Sequence, residues 1–269
     1  LVLLLVVVFP VAAITWGEPD DGEHPYVGFM IFQAPSDGGW YSCSGTLLDA
    51  DTLLTAGHCT YGIGNNVWVT FKETDVLAGI DWFSDETIKF SLETSPDYVR
   101  GTAIPHPEYA NFAGFPNTRD VGVVELWEAN TEITTYGQLP SLRQFDYLNT
   151  SKGAARDRRF VVVGYGYQAL VPPPYIRADD SRFKGQTTLT NTRSAYTSGY
   201  NFQFTNSPGV GNGSGGVCFG DSGGPALWQD TNIVAAITSF GITPYCTGLD
   251  FSYRADIAET LIFVSEYLE

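Results

Sequence analysis

The chain has 269 residues, 43% of them apolar and 14% aromatic, enough for a sizeable core and too much for a disordered polypeptide. Thirty acidic residues against 14 basic ones give a formal net charge of -16, and no Lys/Arg cluster stands out. That balance disfavours a nucleic-acid or other phosphate-rich partner.

Residues 1–13, LVLLLVVVFPVAA, carry no charge and end in small residues, with Val11 and Ala13 suited to the two positions that signal peptidase reads. They read as the hydrophobic part of a secretion signal, and the stretch is too short for a stable membrane anchor. Four cysteines in an exported chain suggest two disulfides, whose pairing the count leaves open.

Beyond residue 13, short β-branched and aromatic runs alternate with Gly, Pro, Asn and Asp clusters, the rhythm of an all-β protein. The predicted strands are Tyr26 to Phe32, Tyr41 to Leu48, Val67 to Phe71, Val121 to Leu126, Phe160 to Gly164, Asn201 to Phe204 and Ile233 to Ser239. Pro172 to Pro174 and Gly209 to Gly216 read as loops, and residues 140 to 158 as a connector between two β halves. Helix signals are few. The clearest is terminal: Asp256 is expected to cap a helix, with Glu259 three residues on and Ile257, Leu261, Val264 and Leu268 on one face.

Three short motifs carry chemistry. In Gly220-Asp221-Ser222-Gly223-Gly224-Pro225, glycines on both sides of Ser222 permit a tight turn and leave the N–H groups of Gly220 and Ser222 free to point at one spot. Taken alone, GDSGG is equally a polar turn. A base is offered by Leu53-Leu54-Thr55-Ala56-Gly57-His58-Cys59, a strand-like run ending in small residues before a histidine. The other two histidines, His24 and His106, each precede a proline and read as surface or packing residues. A third member comes from Arg119-Asp120-Val121-Gly122-Val123-Val124-Glu125-Leu126, where an acid at the mouth of an apolar strand needs a partner if buried, and His58 would supply it.

In that order TAGHC, DVGVVEL and GDSGGP resemble the three signatures of the chymotrypsin/trypsin-like serine protease family, with its His-Asp-Ser chain order. The resemblance runs from Ile14 to the terminal helix. It implies an all-β fold of two antiparallel six-stranded barrels, about 27–140 and 155–254, with a C-terminal α-helix at about 256–268, and a catalytic triad of His58, Asp120 and Ser222 in the cleft between them. It further implies an oxyanion hole from the Gly220 and Ser222 amides and disulfides pairing Cys43 with Cys59 and Cys218 with Cys246. The activity implied is that of a secreted, extracellular serine endopeptidase acting through a Ser acyl-enzyme. It would act on protein or peptide substrates as a monomer, be open to protein inhibitors, and use no metal or organic cofactor. A catalytically silent homologue serving as a secreted binding module is the main alternative, although no triad residue is missing. A secreted esterase is another, though the G-x-S-x-G elbow is absent.

By the same resemblance Ser239-Phe240-Gly241 lines the substrate pocket, with Phe in place of the usual Trp. Ile14-Thr15-Trp16-Gly17 looks like the start of the mature chain, so that cleavage after Ala13 would free an Ile14 amine to pair with Asp221, although Trp16 replaces a usual Gly. Gly216 and Val217 stand at the pocket base where trypsins carry an Asp, which removes support for strict trypsin specificity. Asp250 falls on the facing wall, where it would either attract Lys or Arg or narrow the pocket. Asn149-Thr150-Ser151 and Asn212-Gly213-Ser214 fit glycosylation acceptors. The acidic stretches Glu18 to Glu23 and Asp81 to Glu86 read as solvated surface in preference to calcium sites.

Overall fold

The computed structural model describes residues 14–149, 155–171, 175–177, 180–206 and 215–268. The apolar stretch 1–13, Pro172 to Pro174, most of the Gly-rich loop, the triplet Asn212-Gly213-Ser214, and Thr150 and Ser151 of the other triplet lie outside the described residues.

A two-residue strand β1 (Glu18–Pro19) is followed by β2 (Val27–Gln33), β3 (Trp40–Leu47), β4 (Thr52–Thr55), β5 (Gly64–Thr70), β6 (Val99–Pro105) and β7 (Gly122–Leu126). The strands β2 to β7 close into an antiparallel six-stranded barrel in the order β2-β3-β4-β7-β6-β5. Its interior is filled by side chains such as Met30, Leu53, Val69 and Val124, all essentially inaccessible. Burial of apolar surface of this kind is the main favourable term in folding.

The second half comprises β8 (Arg159–Gly164), the hairpin β9 (Ala169–Val171) and β10 (Tyr175–Arg177), then β11 (Phe183–Asn191), β12 (Asn201–Asn206), β13 (Pro225–Trp228), β14 (Val234–Gly241) and β15 (Gly248–Arg254). The order β11-β12-β15-β14-β13-β8, with β8 also paired to β11, closes a second six-stranded barrel, and β1 adds to its β11 edge. In β11 burial alternates residue by residue, with Phe183, Gly185, Thr187 and Leu189 inward, the period-two pattern of a half-buried strand. Phe145, Phe160, Phe202 and Phe204 meet edge-on or tilted at 5.1–6.2 Å in this core. The apolar cluster of the first barrel continues through Val163, Tyr165 and Tyr253, so the two barrels share one packed interface.

Two helices complete the fold. Between β5 and β6, α1 (Asp85–Thr94) begins at a capping box in which Ser84 and Thr87 exchange side-chain and backbone bonds, and it buries Ile88 and Leu92 one turn apart. The acidic stretch at 81 to 86 is therefore a helix start; Asp85 and Glu86 occupy the first turn, where the helix dipole favours them. At the C-terminus α2 (Ala258–Ser265) buries Thr260, Phe263 and Val264. Its N-cap is Ile257 rather than the expected Asp256. Asp256 has been drawn away by stronger partners: its carboxylate pairs with Arg254 through two 2.8 Å contacts and accepts from the Phe145 amide.

Asp81, Asp85 and Glu86 are solvated surface, and so is the other acidic stretch except at Asp20. Asp20 is fully buried and accepts from Arg182 Nε at 2.8 Å and from the backbone N–H of His24 at 2.9 Å, with His24 Nδ1 2.5 Å away. Burial alone would raise the Asp20 pKa, but His24 and Arg182 outweigh it and hold the carboxyl below its ordinary value. Glu18 and Glu23 pair with Lys184. Arg182 also donates to the carbonyls of Val27 and Phe71 and to the Tyr165 hydroxyl, which joins the N-terminal segment to both barrels. Arg182→Ala, which leaves the Asp20 charge buried with one partner fewer, is expected to cost about 3–5 kcal/mol in urea unfolding, with Arg182→Lys losing less.

Candidate active site

His58 sits on a single 3-10 turn, Gly57–Cys59, that follows β4 directly. The turn is pinned by the Cys43–Cys59 disulfide to β3 and by Thr60 Oγ1 donating to the Gly57 carbonyl at 2.9 Å. A glycine is needed at 57, because a Cβ there would lie 2.9 Å from the Tyr109 ring and 3.2 Å from Asp120 Oδ1. Asp120 enters from the start of β7 with no solvent exposure. Its carboxylate accepts the His58 backbone N–H at 2.8 Å, and His58 Nδ1 lies 2.9 Å from Oδ2 and 3.1 Å from Oδ1. From the second barrel Ser239 Oγ donates to Oδ2 at 2.5 Å. With the carboxylate ionised Nδ1 is the donor, which leaves Nε2 as the basic nitrogen. Burial works against a positive imidazole, yet the Asp120 charge and hydrogen bond outweigh it and hold the His58 pKa above its ordinary value.

Ser222 sits on the turn between the 215–220 loop and β13. Gly220 and Gly223 on either side have φ of 98° and 79°, a region open chiefly to glycine. A Cβ at Gly223 would stand 2.0 Å from Thr55 Oγ1. The turn is fastened across the barrel interface: the Ser44 amide donates to the Ser222 carbonyl at 2.7 Å, and Ser44 Oγ donates to the Gly220 carbonyl at 2.9 Å. The amides of Gly220 and Ser222 donate to no acceptor among the described residues.

His58 and Ser222 share the walls of two cavities. One, of about 420 Å³, runs back between β14, β15 and the 215–220 loop, and Val217, Ser239, Phe240, Gly241 and Asp250 line it as the sequence suggested. The other, about 470 Å³, opens on the opposite side and is walled by Tyr41, Tyr61, Tyr167 and Phe219. Phe240 stacks on Phe251 at 4.7 Å and 6°, and Phe112 leans over the His58 ring at 5.8 Å.

A family model described as Trypsin matches residues 14–257. The chain belongs to the trypsin family. Serine protease 1 of Drosophila melanogaster is 27% identical over 249 residues, covering 87% of this chain and 77% of the relative. The CLIP domain-containing serine protease B9 of Anopheles gambiae is 25% identical over 152 residues, 55% of this chain and 36% of the relative. Among solved structures, an HL collagenase matches with a TM-score of 0.68 at 17% identity, over 95% of this chain and all of the other. A scabies mite inactivated protease paralogue, S-D1, matches at 0.66 and 15%, over 95% of this chain and 99% of the other. Such low identities speak for the trypsin-family fold alone, and the chemistry must be argued from the site.

One expectation from sequence is altered. Gly216 does not line the pocket: Asn206, from the end of β12, stands in front of it, and a Cβ at Gly216 would overlap the Asn206 amide at 2.1–2.2 Å. Asn206 is held by donating to the Val217 carbonyl at 2.7 Å and accepting from Thr15 Oγ1 at 2.9 Å. A polar residue ending a strand gave no local signal of this. The Ile14–Asp221 ion pair is expected only once residues 1–13 are removed, and the uncleaved chain has no amine at Ile14 to form it. Residue 13 precedes Ile14, whose nitrogen is thus an amide, while its side chain is buried in the second barrel and Thr15 pairs with Gly216. The buried Asp221 carboxylate accepts from the amides of Gly166 at 2.7 Å and Cys218 at 2.8 Å. The remaining histidines serve structure: His24 belongs to the Asp20 cluster, and His106 packs on Phe263.

In this trypsin-family chain Asp221 and Asp250 are buried without a cation among the described residues. Burial raises Asp221 to about 7, with Asp250 adding to the rise, and burial raises Asp250 to about 7. Both lie above the ordinary 3.8, so between about pH 4 and 7 the folded chain holds protons that the unfolded chain has released. Stability therefore falls as pH rises through that window. The uncleaved chain is expected to show a higher urea midpoint at pH 5.5 than at pH 8, and Asp221→Asn or Asp250→Asn should each flatten the difference.

Proposed function

We propose that this chain is a secreted serine endopeptidase in which His58, Asp120 and Ser222 form the catalytic triad. The observation that carries the reading is the fully buried Asp120 carboxylate, which fixes both N–H groups of His58 on the wall it shares with Ser222. Asp120 keeps the proton on Nδ1, so Nε2 takes the Ser222 hydroxyl proton as Oγ attacks the peptide carbonyl. The imidazolium so formed is stabilised by Asp120, and the tetrahedral oxyanion is received by the unengaged amides of Gly220 and Ser222. His58 returns its proton to the leaving amine. Water then enters by the same route, and the acyl-enzyme is hydrolysed.

The two cavities meeting at Ser222 suit an extended polypeptide, with the side chain before the scissile bond in the 420 Å³ cavity and the leaving segment in the 470 Å³ groove. No metal or organic group enters this scheme. Export through residues 1–13 agrees with the two disulfides Cys43–Cys59 and Cys218–Cys246, which persist in oxidising compartments. Removal of residues 1–13 would leave Ile14 with a free amine, the cation that Asp221 lacks in the uncleaved chain. Mass spectrometry of the secreted product should then give Ile14 as its first residue.

The decisive experiment is reaction with a fluorophosphonate probe alongside cleavage of a protein substrate. Wild type should be labelled at Ser222 and should cut the protein, while Ser222→Ala does neither. An unlabelled, inert wild type would return the chain to the silent-homologue reading. Asp120→Asn should lower kcat by about four orders of magnitude, the loss typical of such triads when His takes the wrong tautomer. The rate should fall on acidification as His58 is protonated, with a midpoint above the ~6.5 of a free imidazole.

A further inference from the structure

Asp250 lies in β15 on the wall of the 420 Å³ cavity and is 3% exposed. One carboxylate oxygen, Oδ2, accepts from the Val217 amide at 2.9 Å. The other, Oδ1, is buried and makes no hydrogen bond of regular geometry among the described residues, the neighbouring Asn206 side chain offsetting only part of the effect of burial. An unsatisfied buried oxygen is costly and calls for a donor from outside the fold. Thr238 Oγ1, on the same cavity, is likewise without a partner.

The surroundings of Asp250 are almost free of charge. From β12 it faces Asn206, from β14 Thr238 and the backbone of Gly241, and from the 215–220 loop Val217 and the disulfide-bonded Cys218. Asp221 is the one ionisable group among the described residues with an electrostatic coupling to it. On its own strand Arg254 is committed to Asp256 and Asp146. Residues 207–214 contain no titratable side chain. Among the described residues the acid thus has the Asn206 amide beside it and no cation to neutralise it.

We propose that Asp250 makes the class of side chain admitted to this pocket depend on pH, uncharged side chains entering over the protonated acid and Lys or Arg over the carboxylate. The identity of the occupant as a substrate residue rests on the endopeptidase reading above; the binding chemistry does not. Protonated, Asp250 offers an O–H to a neutral guest and leaves the pocket apolar enough for an aliphatic or aromatic group. Ionised, it offers Oδ1 to an ammonium or guanidinium, and entry of that cation at low pH must expel the proton. Burial places the change near pH 7, since it raises the Asp250 pKa to about 7.

The test uses two peptides identical except for Lys or norleucine before the scissile bond, with kcat/KM measured from pH 5.5 to 8.5. Taking the ratio cancels the ionisation of His58, which both reactions share. In wild type the Lys:norleucine ratio should rise at least tenfold across the range, and in Asp250→Asn, whose amide oxygen can still accept from Val217, it should be flat. A flat wild-type ratio, or an equal rise in Asp250→Asn, overturns the proposal. A second measurement needs no turnover: fluorescence binding of p-aminobenzamidine to Ser222→Ala should tighten at least tenfold over the same range. Binding of that cation with this pH dependence, in a wild type that cuts neither peptide, would sink the endopeptidase reading and leave the pocket proposal standing. Turnover with pH-independent cation binding would do the reverse, and loss of both would overturn both.

Discussion

The Asp120 carboxylate is the point at which the two barrels become one site. It belongs to the first barrel, where it holds His58 through both of that residue's N–H groups, and it receives the Ser239 hydroxyl from the second barrel. A charge without solvent is tolerated only when its lone pairs are filled, and here they are filled from two independently closed sheets. The full set of contacts to this carboxylate forms only when both barrels are docked in register. Packing through Val163, Tyr165 and Tyr253 and the Arg182–Asp20 cluster supply that docking.

Around this centre the fold distributes constraint unevenly. On the histidine side, a one-turn helix, a disulfide and the missing side chain at Gly57 define where the ring can go. On the serine side the constraint is mostly backbone: glycines at positive φ, the Ser44 contacts, and an acid whose two oxygens are both spent on amides. The pocket behind differs in kind. There Asn206 occupies the space in front of Gly216 and Asp250 keeps one oxygen unspent, so the chemistry of the wall is completed by whatever enters.

Much of this was legible in the sequence because it is local. TAGHC and GDSGGP write the turn, the small neighbours and the reactive side chain into six or fewer consecutive residues, and β2, β3 and β7 announce themselves by β-branched and aromatic runs. The alternation in β11 is equally local but is masked in sequence by threonines on both faces. Helix α1 was hidden behind its acidic first turn, although Ser84 and Thr87, with Ile88 and Leu92 beyond, carried its signature. What the local pattern could not reveal are partnerships between distant positions. Asp256 looked like a cap until the Phe145 amide, 111 residues back, claimed it; Asp20 looked solvated until Arg182, 162 residues away, buried it; Asn206 gained its place through Thr15, 191 residues back.

The hydroxyl of Ser44 has a wider bearing than its size suggests. Lodged between the Tyr165 amide and the Gly220 carbonyl, it lets a strand of one barrel dictate the path of a loop in the other. The geometry of the candidate site is thereby made a property of the assembled pair. Either half, folded by itself, would carry its share of these groups and lack the mould that gives them their shape.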